Sequence, residues 1–141
     1  MLVRLLLVED HAVLAEATAE FLRRMGIEVR IARSAAEALR AVEEFRPEIV
    51  LCDLGLPDRS GLDVARAFRT KANLKRVLFV LHTALADTEI HILERQINRD
   101  LVQLFLSKPI TEEKIATLLR EFRTLRDKPC VQARSPRRRA A

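Results

Sequence analysis

Residues 49–57 read Ile49-Val50-Leu51-Cys52-Asp53-Leu54-Gly55-Leu56-Pro57, and the placement of Asp53 within them decides the fold. Four apolar residues, enough for a strand buried on both faces, run straight into a carboxylate. A glycine and a proline then stop the strand. Asp53 is thereby expected at a strand's C-terminal tip, the edge of an open parallel α/β sheet where ligands bind and chemistry is done. Taken alone it reads first as a turn aspartate. Three further strand-like runs, however, also end in reactive groups: Leu5 to Val8 leads into Glu9 and Asp10, Val77 to Leu81 into His82 and Thr83, and Val102 to Leu106 into Ser107, Lys108 and Pro109.

As parallel neighbours, these strands would bring the carboxylates of Glu9, Asp10 and Asp53, the Thr83 hydroxyl and the Lys108 ammonium to one rim. Carboxylates crowded together raise one another's pKa unless something compensates their charge. A hard divalent cation with oxygen ligands, beside Lys108, supplies that compensation. Mg²⁺ fits, because it takes few protein carboxylates, keeps several waters and accepts phosphate oxygens.

The acidic pair Glu9-Asp10, the Asp53 strand end, the pair Thr83-Ala84 and Lys108-Pro109 resemble the receiver domain of two-component response regulators. The resemblance covers residues 2 to about 126 and implies a division into a receiver domain, 1–126, and a basic, flexible tail, 127–141. It implies that Asp53 accepts a phosphoryl group from a phosphohistidine on a histidine kinase or histidine phosphotransfer protein. Asp10 and Asp53 would ligate Mg²⁺ directly, Glu9 through a metal-bound water, and Gly55 through its backbone carbonyl. Lys108 and the Thr83 hydroxyl would bind phosphoryl oxygens together with the backbone N–H groups of Leu54 and Ala84. The resemblance also implies a cis peptide before Pro109. Thr83 and Phe105 would form the switch that reports phosphorylation to the face made by residues 87–126, although Phe105 reads equally as a core residue of an edge strand. A downstream protein, or a second copy of the chain, would dock on that face.

Five β-then-α units mean an α/β fold, a five-stranded parallel sheet with five helices on its two faces; the resemblance implies the flavodoxin-like, doubly wound order 2-1-3-4-5. Leu14, Thr18, Phe21, Leu22 and Met25 share one face of a helix over 12–25, which Gly26 ends. Glu28 to Ile31 alternates, which places that strand at a sheet edge. Ser34 with Glu37 forms a capping box for a helix running to Pro47, and Ser60-Gly61 opens the next, with Leu62, Ala65 and Phe68 inward. A helix over 87–99 has the thinnest apolar stripe, and no glycine stands at 96–100 before the last strand, where receivers usually carry one. Thr111 caps the last helix, whose stripe is Ile115, Leu118, Leu119, Phe122 and Leu125.

The chain has 141 residues, the length of one domain with a sizeable core. No run approaches a membrane span and no signal peptide is evident. Cys52 and Cys130 form neither a CxxC site nor a disulfide framework, so reduced thiols and a cytoplasmic setting are expected. Of the net charge of +5, residues 127–141 hold +4, from Lys128, Arg134, Arg137, Arg138 and Arg139 against Asp127. The basic character therefore belongs to the tail; lacking aromatics or a following helix, it reads as a flexible end rather than a nucleic-acid or membrane contact. His11 falls in the first turn of a helix beside the acidic pair, and His82 and His91 receive no role. A pseudo-receiver, an interaction module not controlled by phosphate, is the rival reading. A flavodoxin-like nucleotide-binding enzyme would want a glycine-rich loop where Glu9-Asp10-His11 stands.

Overall fold

The computed structural model describes residues 2–127. Its elements in chain order are β1 (Arg4–Val8), α1 (Ala12–Arg24), β2 (Glu28–Ala32), α2 (Ala35–Phe45), β3 (Ile49–Asp53), α3 (Gly61–Arg69), a 3₁₀ turn (Ala72–Leu74), β4 (Leu78–Thr83), α4 (Asp87–Gln96), β5 (Leu104–Ser107) and α5 (Glu112–Asp127). The strands are parallel, in the order β2-β1-β3-β4-β5. The sheet order is the expected one, and it sets β1 beside β3. Residues 128–141, on which most of the proposed tail falls, lie outside the described residues.

Each strand shows why its sequence reads as it does. β1, β3 and β4 are covered on both faces, so nearly every position is apolar and buried. β2, at the edge, buries Val29 and Ala32 and exposes Glu28 and Arg30. Leu6, Val8, Val50, Cys52, Phe79 and Leu81 pack with α2 and α3. Leu5, Leu7, Ile49, Leu51, Leu78 and Val80 pack with α1 and α5. Phe68 of α3 meets Phe79 of β4 edge-on, with centroids 5.7 Å apart, an arrangement that adds to the area they bury.

Helix ends follow the local chemistry. The Ser34 hydroxyl accepts the Glu37 amide at 3.1 Å, while the Glu37 carboxylate takes the Arg33 amide rather than that of Ser34. α2 ends at Phe45, two residues before Pro47, and its C-cap Arg46 turns left-handed at φ 52°. The Arg4 guanidinium on β1 collects the carbonyls of Phe45 and Arg46 at 3.2 and 2.9 Å, satisfying that helix end. Gly26, at φ 86°, takes the left-handed position that closes α1.

Three expectations need adjusting. Met25 is exposed, and Ala15 and Ala19 join Thr18 and Leu22 in the core, so the buried stripe of α1 turns toward its small residues. β4 reaches Thr83, because His82 and Thr83 still pair with Asp53 or with Leu106 and Ser107. α4 stops at Gln96 instead of continuing to 99. There Ile97 becomes extended and packs on the sheet core, and the Asn98 side chain accepts the Asp100 amide at 2.7 Å. Ile90 is the one fully buried residue of α4, as its thin stripe implied.

Candidate metal centre

The acidic pair leaves β1 where the sheet stops holding the chain. Glu9 still donates its amide to Ala32 of β2 at 3.0 Å, and its side chain, 3% exposed, turns inward. Glu9 Oε2 accepts the His11 amide at 3.2 Å, and Oε1 accepts Lys108 Nζ at 2.7 Å. Asp10 lies exposed beside it. His11 is not a first-turn residue but the N-cap itself, its Nδ1 accepting from the Leu14 amide at 3.4 Å.

Asp53 is the last residue of β3, paired with His82 of β4. One carboxylate oxygen, Oδ1, accepts the Gly55 amide at 3.3 Å, and the other lies 3.3 Å from Lys108 Nζ. Beyond it the chain folds back on itself: Gly55 bridges to Ser60, and the Gly61 amide donates to the Leu54 carbonyl at 2.7 Å. α3 starts so close behind Asp53 that a Cβ on Gly61 would meet the Asp53 carbonyl oxygen and the Leu81 side chain. Only glycine fits there. Leu54 is half-buried and Gly55 exposed.

The last two strands bring the remaining groups. Thr83 is buried at the end of β4; its Oγ1 accepts the Leu85 amide at 3.3 Å, which leaves the hydroxyl proton for another acceptor. Ala84 follows, exposed. The Thr83 carbonyl takes the Lys108 amide at 2.7 Å, tying the two strand ends together, and the Lys108–Pro109 peptide is cis as expected. Phe105 pairs with Leu81 and so shares its sheet face with Thr83; it is half-buried against that core.

One ligand atom from each of Glu9, Asp10 and Asp53 lies within 4.8 Å of the others. An all-oxygen, all-anionic donor set at that spacing suits Mg²⁺. Burial pushes the Asp53 carboxyl above its ordinary range; the Lys108 ammonium opposes this and Glu9 reinforces it. Burial works against the charge on Lys108, yet its hydrogen bond to Glu9 and the fields of Asp53 and Glu9 outweigh that and hold its pKa high. With three carboxylates against one ammonium, the site is thus a carboxylate cluster two positive charges short of balance.

Residues 5–120 match the family model for the response regulator receiver domain. The chain belongs to this family. Among curated relatives, the DNA-binding response regulator MtrA of Mycolicibacterium smegmatis is 34% identical over 126 residues, 89% of this chain and 53% of MtrA. The chain spans only 37% of the length of the MtrA of Mycobacterium leprae. A sensor protein from Polaromonas sp. JS666 superposes with a TM-score of 0.77 at 27% identity, covering 87% of this chain and 98% of that one. The response regulator TrrA of Thermotoga maritima, solved in complex with Mg²⁺-BeF, is similar in fold with a TM-score of 0.72 at 23% identity, covering 86% and 99% of the two chains.

Four residues that organise this receiver domain escaped the sequence. Lys114 donates to the carbonyls of Ser107 and Pro109 at 2.8 and 3.0 Å and so secures the loop that carries Lys108. A cation in the first turn of a helix opposes the dipole, and that misfit was the available signal. Arg33 and Asp58 bridge loops around the acidic cluster, and Arg69 gathers carbonyls before β4 and the Leu101 carbonyl before β5. An arginine before a cap, an aspartate after a proline and an arginine in a last helical turn are each unexceptional, so nothing marked these three.

His82 is 3% exposed, and its Nε2 has no hydrogen-bond partner among the described residues. Burial first, then the ammonium groups of Lys108 and Lys114, lowers its pKa from 6.5 to about 3. The unfolded chain takes up this proton and the folded receiver refuses it. Stability from His82 is therefore whole above pH 6.5 and is lost as the pH falls toward 3. At pH 5 the loss is about 2 kcal/mol, at about 1.4 kcal/mol per unit. Urea unfolding of His82→Val should accordingly show a drop in stability between pH 7 and pH 5 smaller than wild type by about that amount. Equal drops would refute the assignment.

Proposed function

We propose that this receiver domain is a phosphorylation switch in which Asp53 is the phosphoacceptor. The observation that carries this is the convergence of the Glu9, Asp10 and Asp53 carboxylates within 4.8 Å, with Lys108 Nζ at 2.7 Å from Glu9 and 3.3 Å from Asp53. An Asp53 carboxylate oxygen attacks the phosphorus of a phosphohistidine. The new O–P bond forms as the P–N bond breaks, and the departing imidazole takes up a proton. Such a transfer asks the protein for in-line positioning and for charges placed around the equatorial oxygens.

The chain's own residues fit those needs. Lys108 exchanges part of its contact with Asp53 for a phosphoryl oxygen, while the Thr83 hydroxyl and the Leu54 and Ala84 amides receive the others. Asp10, Asp53 and the Gly55 carbonyl would hold Mg²⁺, and Glu9, both of whose oxygens are already engaged, would act through a water. Bound Mg²⁺ supplies charge neutralisation to the carboxylates and the incoming phosphoryl group. The complex of TrrA with Mg²⁺-BeF supports this use of the acidic cluster.

The donor is a histidine kinase or histidine phosphotransfer protein. Thr83 and Phe105, on one face of neighbouring strands, would pass the change to the face formed by residues 87–126, where a downstream protein or a second copy docks. The pseudo-receiver alternative draws on one observation, the shortened α4 and rebuilt segment after it. Incubation with acetyl phosphate and Mg²⁺ separates the two. Intact mass should show one added phosphoryl group in wild type and none in Asp53→Asn. No gain in wild type, or an equal gain in Asp53→Asn, would overturn the proposal.

A further inference from the structure

β1 and β3 hold one another in register as far as the pair Val8 and Cys52. The groups proposed to meet the metal lie beyond that last rung, where β1 and β3 no longer pair with each other: Glu9 keeps an amide bond to β2 and Asp53 its pairing with β4, and the loops Glu9-Asp10 and Asp53 to Gly55 run on from there. Besides Lys108, which reaches both Glu9 and Asp53, the start of α2 joins those loops through their backbone and turn. The Arg33 guanidinium forks onto the Asp10 backbone carbonyl, with Nε at 3.3 Å and Nη2 at 3.0 Å. Two residues on, the Ala35 and Ala36 amides donate to Asp58, at 3.0 Å to Oδ1 and 3.1 Å to Oδ2. Asp58 belongs to the turn that follows Gly55, and its carboxylate sits on free amides at a helix N-terminus, where negative charge is favoured.

We infer that Arg33 and Asp58 are positioning residues: through the β2–α2 junction they form one brace that holds the Asp10 loop and the Asp53–Gly55 loop at the separation Mg²⁺ requires. This rests on the metal reading proposed above and adds to it. Both side chains are exposed, so their removal opens no cavity in the core. Ser34 already caps α2, so the helix does not depend on Asp58 for its start. The brace therefore bears on the geometry of the loops more than on whether the chain folds.

Charge alone makes an opposite prediction at one end. Arg33→Ala removes a positive charge near a cation site, which by simple electrostatics would tighten Mg²⁺ binding. The brace requires it to weaken, by about tenfold, as loss of a group that orients ligands does. Asp58→Ala should weaken binding to a similar extent, and Asp58→Asn, which keeps one acceptor oxygen, should recover part of it. Because the two contacts act in series, the double variant should lose hardly more than either single one.

The test is Mg²⁺ titration of the wild type, Arg33→Ala, Asp58→Ala, Asp58→Asn and the double variant by amide NMR, with urea unfolding of the metal-free proteins alongside. Weakened binding in Arg33→Ala, with a nearly unchanged metal-free midpoint and a sub-additive double variant, is the expected result. Binding in Arg33→Ala as tight as wild type or tighter would overturn the brace alone. So would fully additive losses, which mean two separate supports, or a loss matched by the metal-free midpoint, which means a purely structural role. A wild type that takes up no Mg²⁺ overturns the metal reading and the brace together.

Discussion

Lys108→Met is expected to slow the phosphorylation of Asp53 by acetyl phosphate by about 10²- to 10³-fold, the cost of removing one well-placed donor from a developing charge. Its Nζ is 2.7 Å from Glu9 and 3.3 Å from Asp53, so a single ammonium serves one buried and one half-buried carboxylate. Removing it has two further consequences. Glu9, 3% exposed, is left as a buried anion without its partner, which should cost the metal-free protein about 3 kcal/mol. The Asp53 carboxyl, raised by burial and held in check by Lys108, rises further. The pH profile of phosphorylation in Lys108→Met should therefore shift upward, because the attacking group must be ionised. Mg²⁺ should raise the urea midpoint of the variant more than that of the wild type, since it supplies charge the lysine no longer does. A rate within threefold of wild type would show that Lys108 is only a structural ion-pair partner.

Arg69→Met should destabilise the fold by about 4 kcal/mol, the sum of a few charge-assisted hydrogen bonds at about 1.5–3 kcal/mol each less what water restores. Arg69 ends α3 and is partly buried. Its guanidinium donates to the carbonyls of Leu74, Lys75 and Val77 before β4, to Leu101 through two nitrogens, and to Gln103 Oε1 at 2.8 Å. Gln103 Oε1 also accepts the Phe79 amide at 2.8 Å, and its Nε2 donates to Arg99 and Asp100. The pair thus satisfies backbone groups on both sides of the sheet edge and replaces the tight glycine turn this sequence lacks. Methionine keeps much of the volume and none of the donors, so the measured loss reports the bonds rather than a cavity. With a typical urea slope, the midpoint should fall by about 2 M. A fall below about 0.5 M would mean that the segment before β5 is held by packing alone.

The strands and the edge position of β2 were legible because they rest on burial, while the full sheet order came from the family resemblance. Continuous apolar runs at β1, β3 and β4 and an alternating β2 follow from which strands have helices on both faces. The convergence of Glu9, Asp10, Asp53 and Lys108 was legible for a related reason: charged groups placed directly after buried strands have one rim to go to. What stayed hidden depends on long side chains reaching across the fold. Arg33 and Asp58 are more than twenty positions from the groups they bind, and Arg69 more than thirty from Leu101. Nothing in the local pattern of an exposed arginine says which carbonyl it will meet. The early end of α4 was hidden as well, since Ile97 fits a helical stripe and an extended core position alike.

The most direct test of the switch is a two-step amide NMR titration, first with Mg²⁺ and then with beryllofluoride in its presence. The expected result is that Mg²⁺ shifts the amides of residues 9, 10 and 53–55, and that beryllofluoride then shifts residues 83, 84 and 108 and spreads through Phe105 into 87–126. The second step should vanish in Asp53→Asn. Shifts with Mg²⁺ that beryllofluoride leaves unchanged would contradict phosphorylation control and make this receiver an interaction module that binds metal without switching.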